Sequence, residues 1–129
     1  MALKTTLRVM VVDDMSVSRG LIQQALDEIG FANVVYDKDG ASALQQIVGS
    51  PVHLVLSDYN MPGMDGLGLL ERLRGNPATQ KTGFILITGR ADREVLMRGQ
   101  ALGMNNFVVK PFTTVQLRGA IEKVVGPLG

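Results

Sequence analysis

Five side chains with chemically useful groups stand at the ends of apolar runs in this sequence. They supply three carboxylates, one hydroxyl and one ammonium group, and they are Asp13, Asp14, Asp58, Thr88 and Lys110. Each has an ordinary explanation when taken alone, because an aspartate after a strand is often the N-cap of the next helix. Four separate segments that all deliver such groups at the same point are much harder to attribute to chance.

The chemistry that fits this set is phosphoryl transfer. Clustered carboxylates raise one another's pKa, and a hard divalent cation with oxygen ligands removes that conflict. An ionised aspartate can attack phosphorus and form an acyl phosphate. The transferred group then needs positive charge near its equatorial oxygens, which a metal and the Lys110 ammonium would provide. The Thr88 hydroxyl could donate a hydrogen bond to a phosphoryl oxygen and so sense whether the group is present.

Such a set requires strands that end at one common edge. Nearly continuous apolar runs, which are typical of strands buried on both faces of a parallel sheet, are Leu7 to Val12, Val52 to Leu56, Phe84 to Ile87 and Phe107 to Val109. A weaker run, Val34 to Tyr36, predicts a further strand near an edge of the sheet.

Apolar stripes with helical period lie between and after these runs. The first contains Val17, Leu21, Ile22, Ala25, Leu26 and Ile29, and Gly30 is placed to end that helix. The other four contain Ala41, Leu44, Ile47 and Val48; Leu67, Leu69, Leu70 and Leu73; Val95, Leu96, Ala101 and Leu102; and Val115, Leu117, Ile121, Val124 and Val125. The pair Asp65-Gly66 is predicted to be a turn that leads into the third helix.

Strand and helix therefore alternate five times, which predicts an α/β fold with right-handed crossovers. We expect a doubly wound, five-stranded parallel sheet of the flavodoxin-like (βα)5 type, with strand order 2-1-3-4-5. In that arrangement ligands bind beyond the carboxyl ends of the first and third strands. The five candidate side chains should meet there.

Composition narrows the class of protein. A chain of 129 residues fits one domain, expected to span residues 1–129. The formal charge of +1 leaves no clustered basic excess, so nucleic acid is not an expected partner. No apolar run approaches the roughly 20 residues of a membrane span, and the sequence contains no cysteine for disulfides or thiolate metal sites. We expect a cytoplasmic monomer.

Four sequence segments resemble the receiver domain of bacterial two-component response regulators. They are VVDD at 11–14 with Arg19 five residues on, SDYNMPGMDG at 57–66, TG at 88–89 and VVKPF at 108–112. The resemblance covers essentially the whole chain, and it is strongest toward the single-domain, CheY-like chemotaxis regulators. Phe107 stands where those regulators usually carry tyrosine.

The resemblance implies a role for each matching position. Asp58 would be the phosphoacceptor, and Mg²⁺, or Mn²⁺ in its place, would be held by Asp13, Asp14, Asp58 and the backbone carbonyl of Asn60. Lys110 and Thr88 would bind the phosphoryl group, and Thr88 and Phe107 would form a coupled switch. Pro111 would fix the turn after Lys110, which in this family often contains a cis bond.

The function implied is that of a stand-alone regulator that a histidine kinase phosphorylates through its phosphohistidine domain. The predicted fifth helix ends near Val125, so no fused effector is expected, and the output would be noncovalent binding, as to a flagellar motor switch protein in chemotaxis. The alternative is a phosphate sink, or a phosphorelay intermediate, that does not bind the motor. An enzyme acting on other substrates is not expected, because an aspartyl-nucleophile phosphohydrolase typically carries a second aspartate where this chain has Asn60.

Overall fold

Five parallel strands form one sheet in the order β2-β1-β3-β4-β5, in a computed structural model that describes residues 3–90 and 92–129. The strands are β1 (Arg8–Val12), β2 (Asn33–Asp37), β3 (Leu54–Asp58), β4 (Gly83–Thr88) and β5 (Asn106–Val109). The predicted fold class and strand order are confirmed, as is each predicted strand to within a few residues.

Six helices accompany the sheet: α1 (Leu3–Thr6), α2 (Ser16–Ile29), α3 (Gly40–Gly49), α4 (Gly66–Arg74), α5 (Arg93–Ala101) and α6 (Thr114–Val125). The last five are the predicted ones. The four-residue α1 was not predicted, because one turn is too short to show a helical period. Its carbonyls at Lys4 and Thr5 accept hydrogen bonds from the Ala32 N–H and the Asn33 side chain, which ties it to the start of β2.

Two hydrophobic clusters cover the two faces of the sheet. Val9 and Val11 of β1 point into the cluster formed with α2 and α6, whereas Met10 and Val12 point into the cluster formed with α3 and α4. Both faces of the inner strands are therefore dry, and this explains why their sequences are continuously apolar. No helix among the described residues is long and apolar enough to span a bilayer.

The predicted stripes were too wide at several helices. Val17, Leu21 and Val115 are 74%, 58% and 79% exposed, and Ala41, Val48 and Ala101 are also exposed. In α2 the core contacts come from Ile22, Ala25, Leu26 and Ile29 alone. A helix can bury only about one third to one half of its circumference, so the additional apolar side chains at its margin remain at the surface.

Helix ends follow local chemistry. Gly30 caps α2 with a left-handed backbone (φ 109°), as predicted from its position. Asp65 is the N-cap of α4, and its Oδ1 accepts a hydrogen bond from the Gly68 N–H at 2.8 Å, so the pair predicted as a turn forms the start of the helix itself. An ideal Cβ at Gly66 would lie only 2.4 Å from the Asp58 carbonyl oxygen. The start of α4 can therefore approach the end of β3 only because residue 66 is glycine.

Candidate functional site

The strand register brings the predicted side chains to one edge of the sheet. Val12 pairs with Ser57, and Asp58 pairs with Ile87, so the carboxyl ends of β1, β3 and β4 lie level. One carboxylate oxygen from each of Asp13, Asp14 and Asp58 lies within 4.8 Å of the others. Asp13 and Asp58 are buried and Asp14 is exposed, so the cluster has a closed inner side and an open outer side.

Asp13 is fixed by its own loop. Its Oδ1 accepts a hydrogen bond from the Met15 N–H at 3.0 Å, and its carbonyl accepts one from Arg19 Nη1 at 2.9 Å. The Arg19 guanidinium lies 4.7 Å above the centre of the Tyr36 ring, in cation–π geometry. Arg19 was part of the motif in the sequence, but its contact with Tyr36 could not be predicted, because β2 and α2 meet only in the folded chain.

The acidic cluster fits a hard divalent cation. Asp13 Oδ2 is the one buried side-chain oxygen or nitrogen atom without a hydrogen-bond partner in the part of the chain that the structure describes. A buried carboxylate oxygen without a hydrogen-bond partner destabilises the folded protein unless a cation binds to it. Carboxylate oxygens at this spacing are the donors that Mg²⁺ and similar ions prefer. Lys110 Nζ lies 3.6 Å from this oxygen, which is too far for a good hydrogen bond.

Lys110 extends from the end of β5 into the same cluster. Its Nζ is 3.4 Å from Asp58 Oδ1, and it donates a shorter hydrogen bond of 2.7 Å to Ser18 Oγ in the first turn of α2. Sequence reasoning identified Lys110 and missed Ser18. A serine near the start of a helix has many uses, and nothing in its spacing indicates a partner 92 positions away.

The electrostatics of Asp58 reflect its neighbours. Burial raises the pKa of the Asp58 carboxyl above its usual value of 3.8, and nearby Asp13 raises it further. The Lys110 ammonium and the Tyr59 N–H, which donates to Asp58 Oδ1 at 2.9 Å, act in the opposite direction without cancelling the increase. A bound cation would favour the ionised carboxylate in the same way as the lysine does.

Thr88 ends β4 and pairs with Val109, whereas Phe107 lies two residues earlier on β5 and pairs with Leu86; neither side chain forms a hydrogen bond with Asp58. The buried Thr88 hydroxyl donates to the Arg90 carbonyl at 3.0 Å and accepts from the Arg90 N–H at 3.2 Å. Phe107 on β5 is half-buried against the cluster that contains Phe84 and Leu86. The hydroxyl is therefore occupied by its own loop in this structure.

Asn60 and Pro111 border the site from two loops. Asn60 is exposed and lies between Asp58 and α4. The Lys110–Pro111 peptide bond is cis, as the resemblance implied.

A groove of about 600 Å³ begins beside Lys110 and runs between α2 and the segment that joins β5 to α6. Its mainly apolar wall includes Met15, Val17, Leu21, Pro111 and Phe112.

Comparison with known proteins gives a consistent result. Residues 9–122 match the family described as the response regulator receiver domain. The chain is 41% identical over 128 residues to a probable chemotaxis protein CheY of Rhizobium etli, covering 99% of both chains. It is 32% identical over 122 residues to chemotaxis protein CheY-3 of Vibrio cholerae, covering 95% of this chain and 94% of that protein. The solved structure of Vibrio cholerae chemotaxis protein CheY4 superposes with a TM-score of 0.85 at 27% identity, covering 92% of this chain and 98% of that one.

Proposed function

The chain belongs to the response regulator receiver domain family, and we propose that it is a single receiver domain of residues 1–129 that accepts a phosphoryl group on Asp58 in a Mg²⁺-dependent reaction. The observation that carries this proposal is the position of Asp58. One of its carboxylate oxygens lies within 4.8 Å of oxygens of Asp13 and Asp14, and the Lys110 ammonium lies 3.4 Å from its Oδ1.

We propose the following role for each residue, with the contacts of Asp58 in support. An Asp58 carboxylate oxygen forms a bond to phosphorus while the phosphorus–nitrogen bond of a phosphohistidine breaks, and the electron pair returns to the imidazole. The Tyr59 N–H fixes the orientation of the Asp58 carboxylate. Lys110 neutralises charge on the phosphoryl oxygens. The Thr88 hydroxyl exchanges its bonds to Arg90 for one to the phosphoryl group, and Phe107 turns inward.

A divalent cation fits this site, with Asp13, Asp14, Asp58 and the Asn60 carbonyl as its protein ligands. When bound, it would neutralise charge on the carboxylates and the transferred group. The orphaned Asp13 oxygen and the close carboxylate oxygens support this assignment. We propose Mg²⁺ with Mn²⁺ as a substitute, because both prefer oxygen ligands.

The partner upstream is a histidine kinase. The apolar groove beside Lys110 supports docking of its phosphohistidine domain there, because the bound imidazole would then be next to Asp58. Exposed Met15, Val17 and Leu21 give that surface apolar area without a partner inside the chain. Nothing in this scheme requires nucleic acid, a membrane or a second copy of the chain, and the protein would act in the cytoplasm.

The output we propose is chemotaxis through noncovalent binding to a flagellar motor switch protein. The names of the two curated relatives, both chemotaxis proteins, support it. The phosphate sink remains the alternative. Binding of the phosphorylated form to a motor-switch protein, measured by pull-down with the Asp58→Asn variant as control, distinguishes them, since a sink would show no enrichment of the phosphorylated form.

The central experiment measures phosphoryl transfer from a phosphorylated histidine kinase. Wild-type protein should become labelled with Mg²⁺ or Mn²⁺ present, and labelling should disappear in excess chelator. Asp13→Ala should need a much higher Mg²⁺ concentration, because it removes a direct ligand. Transfer that proceeds equally without any divalent ion would contradict the proposal. The domain should show no turnover of a generic phosphate ester.

A further inference from the structure

Ser18 holds the lysine that faces the phosphoacceptor. Among the three groups around Lys110 Nζ, Ser18 Oγ is the closest at 2.7 Å, compared with 3.4 Å to Asp58 Oδ1 and 3.6 Å to Asp13 Oδ2. The two carboxylate distances exceed the roughly 2.7–2.9 Å of a charge-assisted hydrogen bond. The neutral hydroxyl, and not a carboxylate, therefore makes the closest contact with the ammonium.

The difference between neutral and charged partners matters when a cation is present. Asp13 and Asp58 attract Lys110 through their charge, and a divalent ion on those carboxylates would largely remove that attraction and repel the ammonium. Hydrogen bonding to Ser18 does not depend on charge in this way. The Lys110 side chain is 26% exposed and opens toward the groove, so without an anchor it has room to leave the site.

We propose that Ser18 is a positioning residue for phosphoryl transfer: its hydroxyl accepts a hydrogen bond from Lys110 and keeps the ammonium beside Asp58 when the carboxylates hold a divalent ion. An ammonium has three donors, so one can stay on Ser18 while the others face the phosphoryl oxygens. Lysine loses much side-chain freedom when it is fixed, and Ser18 ensures that this ordering precedes the reaction. The proposal rests on the proposed function of Asp58.

The test compares three single variants of the full chain. Ser18→Ala removes the acceptor, Ser18→Thr keeps a hydroxyl at the same position, and Ser16→Ala changes an exposed serine one half-turn away as the control. Phosphorylation by a small-molecule phosphodonor such as phosphoramidate is followed at saturating Mg²⁺. We expect Ser18→Ala to react about tenfold more slowly, the size of one hydrogen bond to a charged group. Ser18→Thr should recover most of the rate, and Ser16→Ala should match wild type.

A second measurement does not depend on turnover. The ¹⁵N-detected ammonium resonance of Lys110, assigned by its loss in Lys110→Ala, is recorded with Mg²⁺ at low temperature. Ser18→Ala should shift and broaden this resonance, whereas Ser18→Thr and Ser16→Ala should leave it close to its wild-type position. Thermal unfolding midpoints show whether each variant is folded.

Two results would overturn the proposal. One is a Ser18→Ala variant with wild-type rate; the other is a slow Ser18→Ala variant whose Lys110 resonance is unchanged and whose rate Ser18→Thr does not restore. If wild-type protein takes no phosphoryl group at all, the proposed function fails and the role of Ser18 in transfer fails with it. A shifted Lys110 resonance in Ser18→Ala would then show that Ser18 does contact Lys110 and that only the proposed function is wrong.

Discussion

At the scale of single residues, Asp58 occupies an environment that resists its charge. Its side chain is 10% exposed, and both burial and Asp13 raise its pKa, while Lys110 compensates only in part. Asp13 carries an oxygen without a hydrogen bond a few ångströms away. The site therefore stores unfavourable electrostatic energy that a cation would relieve. Such an arrangement is more typical of a working site than of a structural ion pair.

This electrostatic cost predicts how stability depends on pH. A raised folded-state pKa means that the folded protein binds the proton of Asp58 more tightly than the unfolded chain does. As pH rises from about 3.8 through that raised pKa, Asp58 should progressively reduce the free energy of unfolding, and the loss is complete above it. Asp58→Asn removes the charge, so in chelator at pH 7 it should be more stable than wild type by about 1 kcal/mol.

Urea unfolding at several pH values measures this effect. The difference between Asp58→Asn and wild type should grow with pH and then level off. Asp27→Asn, on the exposed face of α2, is the control and should lie within about 0.5 kcal/mol of wild type throughout. A variant at position 58 that is less stable than wild type at pH 7 would show that the ion pair with Lys110 outweighs the burial of the charge.

At the scale of elements, the site depends on how closely α4 approaches the end of β3. Gly66 begins α4, and a β-carbon built on it would lie 2.4 Å from the Asp58 carbonyl oxygen and 2.9 Å from Leu86 Cδ1. The Gly66 N–H also donates to the Tyr59 carbonyl at 2.9 Å. Backbone atoms cannot move aside as a flexible side chain can. This one contact therefore connects the start of a helix to the geometry around Asp58.

Gly66→Ala should consequently destabilise the fold by about 1–3 kcal/mol, the usual range for overpacking. Gly20→Ala is the matched control, because it lies in the interior of α2 with nothing within 4 Å of the new β-carbon. Replacing a helical glycine in open space should stabilise the protein by about 0.5–1 kcal/mol. Thermal or urea unfolding measures both, and equal effects of the two variants would contradict the structure around Gly66.

Features carried by a single strand could be predicted from the sequence, whereas contacts between elements could not. Strand ends follow from continuous apolar runs, so the edge that carries Asp13, Asp58 and Lys110 could be predicted. Ser18 and the Arg19–Tyr36 contact could not, because they depend on which helix face meets which strand. Val17 and Leu21 were assigned to the core for a related reason. Apolar side chains at the margin of a helix have the same period as buried ones, and only packing decides between them.

At the scale of the whole molecule, both the site and the face formed by α5, β5 and α6, which we propose as the output surface, are built on the same sheet. Thr88 is the last residue of β4. Phe107 lies on the neighbouring β5, where it pairs with Leu86 of β4. The outward face of α5, β5 and α6 presents exposed Arg93 and Met97. A change in the Thr88 loop can reach this face because the loop leads directly into α5. Coupling between the acidic site and this face requires that the loop adopt two alternative conformations.

We therefore expect Thr88→Ala to separate modification from signalling. The variant should still be phosphorylated, but beryllofluoride, a mimic of the phosphoryl group, should cause much smaller amide shifts on α5, β5 and α6 than in wild type. Thr88→Ser keeps the hydroxyl and should retain most of the response. Identical distal shifts in Thr88→Ala and wild type would show that the hydroxyl does not carry the coupling.

The central claim, that Asp58 is the residue that carries the phosphoryl group, is tested most directly by trapping the modified side chain. Borohydride reduces an acyl phosphate to the corresponding alcohol, so an aspartyl phosphate becomes homoserine, which peptide mass spectrometry locates in the chain. After phosphotransfer with Mg²⁺, homoserine should appear at position 58 alone, and Asp58→Asn protein should yield none. Homoserine at position 13 or 14, or stable phosphate on another residue of the Asp58→Asn variant, would contradict the account.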